Sequence, residues 1–188
     1  TQSLPPPVQI IKHPVAEKYG VELKVLRLDL IHPVTGGNKY YKLKYNIEQA
    51  RKEGHDTLLS FGGAYSNHIL ALSVTGSQNG FKTIGIIRGE EHLPLNKSLQ
   101  TVTAHGMKLH YATRQQYRDK YNPGFQKRLQ EEFGRFYLVP EGGSNELAVK
   151  GCKEILHAVT EPFDIVCCAC GTGATVAGII RSLKPGQK

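Results

Sequence analysis

At 188 residues, 39% hydrophobic and 21% charged, the chain has the make-up of a globular protein, long enough for one domain or for one and part of a second. No apolar run reaches the roughly 18 residues that span a bilayer, and Thr1-Gln2-Ser3-Leu4-Pro5-Pro6-Pro7 lacks the charged and apolar blocks of an export signal, so a cytoplasmic location and no membrane contact are expected. A formal charge of +8 invites a nucleic-acid partner, but the lysines and arginines are scattered and no reader motif accompanies them, which argues against one.

The opening prolines favour an extended arm. Val21 to Leu30 alternates as a strand does, with Leu23, Val25, Leu26, Leu28 and Leu30 apolar, until His32-Pro33 ends it. Next comes Gly36-Gly37-Asn38-Lys39-Tyr40-Tyr41-Lys42, a glycine pair running into an amphipathic helix, Lys42 to Ala50, with Gly54 as its stop. Lys39 is the candidate for chemistry. Flexible glycines let the backbone approach a ligand, a helix start favours anions, and a lysine held there can form an imine with a carbonyl cofactor. The same residues also suit an ordinary turn with a solvated basic face, so later stretches must decide.

Thr57 to Phe61 reads as a short apolar strand entering Gly62-Gly63, followed by a helix from Ser66 to Ser77. The unit recurs as strand Thr83 to Ile87, helix Leu95 to Ala104, strand Met107 to Tyr111, helix Gly124 to Phe133 and strand Phe136 to Val139. Such alternation is the signature of a parallel sheet covered on both faces. Ser144 is expected to cap a helix from Asn145 to Val159, and a strand Ile165 to Cys170 leads through a glycine-rich turn into a helix from Ala174 to Ser182. That strand is apolar on both faces, as a central parallel strand is, so a second half of the fold is expected outside this sequence or from another chain. Cys167, Cys168 and Cys170 lack the Cys-x2-Cys pairing of a zinc site; buried free thiols in a reducing compartment, and no metal, are expected.

Two further stretches can carry chemistry. Phe61-Gly62-Gly63-Ala64-Tyr65-Ser66-Asn67-His68 lies between a strand's C-terminal end and a helix start, the edge where open parallel sheets bind ligands. Amides of Ser66, Asn67 and His68 can hold a carboxylate there, with the Ser66 hydroxyl adding a donor or acceptor, although a plain cap would look the same. A serine hydrolase is disfavoured, because the Gly-x-Ser-x-Gly elbow is missing. In Cys170-Gly171-Thr172-Gly173-Ala174-Thr175-Val176-Ala177-Gly178, the amides from Gly171 to Thr175 and the hydroxyls of Thr172 and Thr175 can surround a phosphate. Val176 breaks Gly-x-Gly-x-x-Gly, and no P-loop Gly-Lys-Ser/Thr is present. A reactive amine, a carboxylate seat and a phosphate cradle together are what pyridoxal phosphate requires.

The runs Gly36-Gly37-Asn38-Lys39 with Lys42, Ser66-Asn67-His68, Gly142-Gly143-Ser144-Asn145 and Gly171-Thr172-Gly173-Ala174-Thr175 resemble the 1-aminocyclopropane-1-carboxylate deaminase and D-cysteine desulfhydrase family. The resemblance runs from about Leu23 to the end, and that family belongs to the fold type II, tryptophan synthase β-like, pyridoxal phosphate enzymes. It implies a two-lobed parallel-sheet α/β fold whose second half is incomplete here. Residues 40–139 would form a small mobile lobe, with 1–39 and 140–188 part of the larger cofactor-binding one. It implies pyridoxal 5'-phosphate as cofactor, a small amino acid as substrate and a homodimer. Lys39 would be the Schiff-base lysine and, with Ser66, a catalytic residue; Lys42 would serve the phosphate with Gly171, Thr172, Gly173, Ala174 and Thr175. Asn67 would bond the cofactor's ring hydroxyl and, with Ser66, His68 and Gly143, line the substrate side. D-cysteine desulfhydration or aminocyclopropane deamination is the implied reaction; cysteine synthase-like β-replacement and a noncatalytic relative are the alternatives. Members usually carry arginine at the position of Tyr41 and glutamate at that of Lys44, so charge around the lysine helix differs.

Overall fold

The computed structural model of the chain describes residues 5–188; the opening residues 1–4, part of the expected arm, lie outside the described residues. What was read as an arm contains a strand. β1 (Val8–Ile11) pairs antiparallel with β2 (Leu23–Leu26), Val8 opposite Leu26, and the short helix α1 (Pro14–Lys18), not read from the sequence, joins them. β2 stops well before Leu30, because its partner offers only four residues; Leu28–Leu30 instead turns as a 3-10 helix.

α2 (Asn38–Lys52) begins directly after the glycine pair, several residues earlier than the apolar pattern suggested. The two glycines serve the chain's own packing. Gly36 is pressed against the carbonyls of Asp29 and His32, where a Cβ would stand 2.6 and 2.7 Å from their oxygens, and Gly37 takes φ +85 to enter the helix.

The parallel sheet follows: β3 (Thr57–Gly62), α3 (Asn67–Gln78), β4 (Lys82–Arg88), α4 (Lys97–Ala104), β5 (Lys108–Ala112), α5 (Arg114–Arg118), α6 (Pro123–Phe133) and β6 (Tyr137–Leu138). Its strand order is β5-β4-β3-β6, with Leu59 of the central β3 opposite Ile84 on one side and Leu138 on the other. Side chains alternate across β3 as the pleat requires. Leu58 packs with Leu43 and Ile47 of α2 and with Ile69 and Leu72 of α3, while Leu59 and Phe61 pack with Tyr117, Phe125 and Leu129 of α5 and α6. Ser60 therefore points to the α3 side, a placement that bears on the site. α5 was also unread in the sequence; Thr113 and Gln116 form its capping box.

After a tight turn at Glu141–Gly143 comes α7 (Glu146–Cys152), then a 3-10 helix at Ile155–Ala158 and finally α8 (Ala174–Ile180). Asn145, not Ser144, caps α7 by accepting a bond from Ala148 N at 2.9 Å, and the helix ends at Cys152 rather than running to Val159. Ser144 instead donates to the carbonyl of Thr172 at 3.1 Å.

The expected strand Ile165 to Cys170 is not formed. The segment pairs with no strand among the described residues; Val166 N donates only to the carbonyl of Lys188, and Ile165 is 67% exposed. A strand exists only where a neighbour completes its ladder, and apolarity alone cannot supply one. For the same reason Cys167, Cys168 and Cys170 are exposed and not buried; Cys152 is the buried thiol, and all four cysteines are free. Among the described residues, no helix is long and apolar enough to cross a membrane, and no cluster of His, Cys, Asp and Glu could hold a metal.

Candidate active site

A cavity of about 690 Å³ opens at the C-terminal edge of the sheet, between the start of α2, the turn from β3 to α3, and the Glu141–Gly143 turn. Lys39, Ser66, Asn67, His68 and Thr172 all line it. Topology delivers Ser66, Asn67 and His68, since a parallel strand sends its outgoing loop and the following helix start to this edge; Lys39 and Thr172 reach it on the start of α2 and on the turn before α8, which follow no strand of the sheet.

The first turn of α2 supplies two lysines three residues apart, hence on one face. Lys39 Nζ donates to the carbonyl of Gly142 at 3.3 Å, and Lys42 Nζ donates to the same carbonyl at 3.3 Å and to Thr172 Oγ1 at 3.0 Å. Lys42 is only 2% exposed. Among the described residues, no carboxylate is within ion-pair distance of either amine. Burial, and then the neighbouring Lys42 charge, depress the Lys39 amine from 10.5 to about 8, and burial lowers that of Lys42 as well. The pair is a cationic cluster without an internal counter-ion: Lys39 lines the cavity, Lys42 sits behind the lining on Gly142 and Thr172, and the Lys39 amine carries a neutral minority near physiological pH.

Ser66 caps α3, its Oγ accepting from Ile69 N at 3.3 Å, and Asn67 stands exposed on the cavity wall. His68 faces inward. Its Nε2 lies 2.8 Å from Ser60 Oγ, its ring is 3% exposed, and burial followed by the charges of Lys39 and Lys42 drives it down to about 3. It is thus a neutral ring beneath the carboxylate seat and adds no positive charge to it.

The glycine-rich turn divides. Thr172 reaches the cavity, whereas Ala174 packs with Ala148 and Val149, and Thr175 Oγ1 accepts from Asn38 Nδ2 at 2.8 Å. Gly173 enters α8 at φ +88. Gly171, Gly173 and Gly143 do not line the cavity; Gly143 packs instead on the His68 ring. Sequence reasoning passed over Asn38, Ser60 and Glu141. Asn38 sat inside a motif already singled out, but nothing local marks Ser60, a small polar residue in an apolar strand. The departures at positions 41 and 44 fall away from the cavity: Tyr41 packs against Ile31, Cys152 and Ile155, and Lys44 pairs with Glu154 at 2.6 Å.

A family model described as pyridoxal-phosphate dependent enzyme matches residues 7–188. A Thermotoga maritima protein provisionally named 1-aminocyclopropane-1-carboxylate deaminase is 35% identical over 185 residues, covering 93% of this chain and 58% of its own length. A mitochondrial Arabidopsis thaliana protein, named bifunctional D-cysteine desulfhydrase/1-aminocyclopropane-1-carboxylate deaminase, is 28% identical over 178 residues, covering 85% of this chain and 44% of its own. The crystal structure of an ACC deaminase homologue superposes with a TM-score of 0.81 at 24% identity, over 96% of this chain and 57% of that one. That likeness establishes the parallel α/β fold expected from the sequence. The chain spans about half the length of the curated relatives it matches.

Proposed function

Because the chain belongs to the family of pyridoxal-phosphate-dependent enzymes, we propose that the full protein is a lyase or deaminase of a small amino acid. D-cysteine, taken with water to pyruvate, ammonia and sulfide, is the first substrate, and 1-aminocyclopropane-1-carboxylate the second. The names carried by its relatives support both. Lys42 carries the reading. A lysine that is 2% exposed, with its ammonium on one carbonyl and one hydroxyl only, is a buried cation awaiting an anion, and a phosphate ester is the anion that fits.

Pyridoxal 5'-phosphate supplies, when bound, an aldehyde for a lysine amine and a ring that draws electrons from the substrate's α carbon. Lys39 is the lysine we assign to that aldehyde, since its depressed amine is a usable nucleophile near neutral pH. When not bonded to that aldehyde, Lys39 Nζ would be placed to accept a proton from the substrate's α carbon and to return one at the α or β carbon. Thr172, with Lys42 behind it, would hold the phosphate where the glycine-rich turn meets the cavity, and Gly171, Gly173, Ala174 and Thr175, which stand outside the cavity lining, would support that turn. Ser66 and the first amides of α3 orient the substrate carboxylate, and Asn67 bonds the ring hydroxyl. His68 and Gly143 shape the floor below.

We take 40–139 as the smaller lobe, moving over the cavity to exclude water, and 1–39 with 140–188 as part of the larger. A homodimer in the reducing cytoplasm suits the family and the four free cysteines. The test is the visible spectrum of the full-length protein with added cofactor, before and after D-cysteine. Lys39→Ala should lose the lysine-bound absorbance, and sulfide should come from D-cysteine and not from L-cysteine. Retained absorbance in Lys39→Ala would sink the assignment of the lysine, and sulfide from L-cysteine alone that of the substrate.

A further inference from the structure

A buried polar pair lies under the cavity floor and has no part in the reaction as described. Ser60, on the central strand β3, is fully buried and faces α3. Its Oγ stands 2.8 Å from His68 Nε2 and donates over a longer 3.5 Å to the carbonyl of Pro140. That carbonyl also accepts from Gly143 N at 2.8 Å. The His68 ring rests directly on the same turn: Gly143 takes φ +68, and a Cβ there would stand 3.3 Å from His68 Cε1. Two residues beyond Pro140, the Gly142 carbonyl receives both lysine amines.

One proton on Ser60 Oγ and one on the neutral ring allow two arrangements. If Oγ donates to Nε2, the ring proton sits on Nδ1, a buried atom without a partner, and the Pro140 contact is lost. If Nε2–H donates to Oγ, and Oγ–H to Pro140, both donors are satisfied and only an acceptor lone pair on Nδ1 is left over. Orphaned buried donors are the rarer in proteins. Burial and the lysine charges that act on His68 keep the ring neutral, so one nitrogen only carries a proton in either arrangement.

We propose that Ser60 is a positioning residue, whose Oγ accepts a hydrogen bond from Nε2–H of His68 and donates its own to the Pro140 carbonyl. It thereby sets the turn that presents the Gly142 carbonyl to Lys39 and Lys42. The effect on Lys39 rests on the function proposed above; the arrangement of protons does not.

The test has two readings on the full-length protein without cofactor. Nitrogen NMR of labelled histidine should show His68 protonated on Nε2, bare on Nδ1, and unchanged from about pH 5 to about pH 9. Capture of phosphate-free pyridoxal, trapped by borohydride and located by peptide mass, gives the pH at which Lys39 reacts half-maximally. In Ser60→Ala the ring should lose its fixed tautomer and the Lys39 midpoint should rise by roughly 0.5 to 1 unit as the loosened turn admits water. Ser60→Thr, which keeps the hydroxyl, should restore both. An unchanged tautomer or an unchanged midpoint in Ser60→Ala overturns the proposal. So does a wild-type ring protonated on Nδ1, which decides the matter even if the variant fails to fold. A wild-type protein with the expected ring but no pyridoxal at Lys39 would instead refute the function and leave the Ser60 relay standing.

Discussion

Replacing Lys42 by methionine keeps the bulk of a side chain that is 2% exposed and removes its charge, so the response of Lys39 measures the electrostatic coupling within the lysine pair. Lys39 is depressed from 10.5 to about 8, by burial first and by Lys42 second. At pH 7 that leaves about 9% of the amine neutral, against roughly 0.03% at the ordinary value, a gain of ~300-fold in reactive form. Both ammonium nitrogens lie 3.3 Å from one oxygen, so they are at most about 6.6 Å apart. At about 6 Å two like charges repel by ~0.7 kcal/mol in water and ~3 kcal/mol at an effective dielectric of about 20. The corresponding shift is ~0.5 to ~2 units. The sign follows from the protonated form: with its cationic neighbour gone, Lys39 holds its proton more readily and its midpoint rises. Burial still acts, so the midpoint should stay below 10.5. The assay is pyridoxal capture with borohydride trapping across the pH range, since pyridoxal has no phosphate whose loss of affinity could be mistaken for the effect. A wild-type midpoint already near the ordinary lysine value, or a Lys42→Met midpoint equal to or below the wild type, would refute the reasoning.

Other consequences are open to measurement. Gly151→Ala should cost about 2 kcal/mol in urea unfolding despite ~1 kcal/mol of added helix propensity, because its Cβ would run into the Tyr41 carbonyl and push α7 off α2. Gly171→Ala, with open space around its Cβ, should move the midpoint by no more than about 0.5 kcal/mol. Asn145→Ala removes the cap of α7 and the 2.7 Å bond to the buried Asn46, and should lose about 2 kcal/mol by the same assay. Thr172→Val should weaken pyridoxal 5'-phosphate by about tenfold in a binding titration while leaving phosphate-free pyridoxal unchanged, since the lost hydroxyl contacts Lys42 on the phosphate side.

The sheet was legible because its code is local. Leu58 and Leu59 fall on opposite faces by pleat alone, and the glycine and asparagine punctuation around them fixes where each strand stops. Lys39, Lys42, Ser66 and Asn67 were legible for the same reason, each being set at a helix start by its immediate neighbours. The failures share a different cause. Ile165 to Cys170 has a strand's composition without a strand's partner, and β1 has a partner where the prolines suggested only an extended arm. Asn145 outcompetes Ser144 as the cap because Asn46, far away in sequence, anchors its amide. Ser60 and the Gly142 carbonyl matter only through what the fold lays against them, and no spacing rule reaches across 80 or 100 residues.

Lys39 and Lys42 look interchangeable in sequence, same residue, same helix, same face, yet the fold gives them opposite tasks. Lys42 is tethered twice, at 3.0 Å to the Thr172 hydroxyl and at 3.3 Å to the Gly142 carbonyl, and is 2% exposed. Lys39 has the Gly142 carbonyl alone at 3.3 Å, a long bond for an ammonium, and stays partly exposed at the cavity wall. A single long bond costs about 1.5 kcal/mol to leave, the low end for a charged donor, so Lys39 can swing out and back while Lys42, held by two, keeps its place. The shared carbonyl couples them all the same: when one amine departs, the other takes the whole of that acceptor. A charge that stays and an amine that travels are what a lysine-exchanging reaction on an anionic cofactor demands, and here the division rests on the reach of one hydroxyl, Thr172, placed by a turn more than a hundred residues downstream.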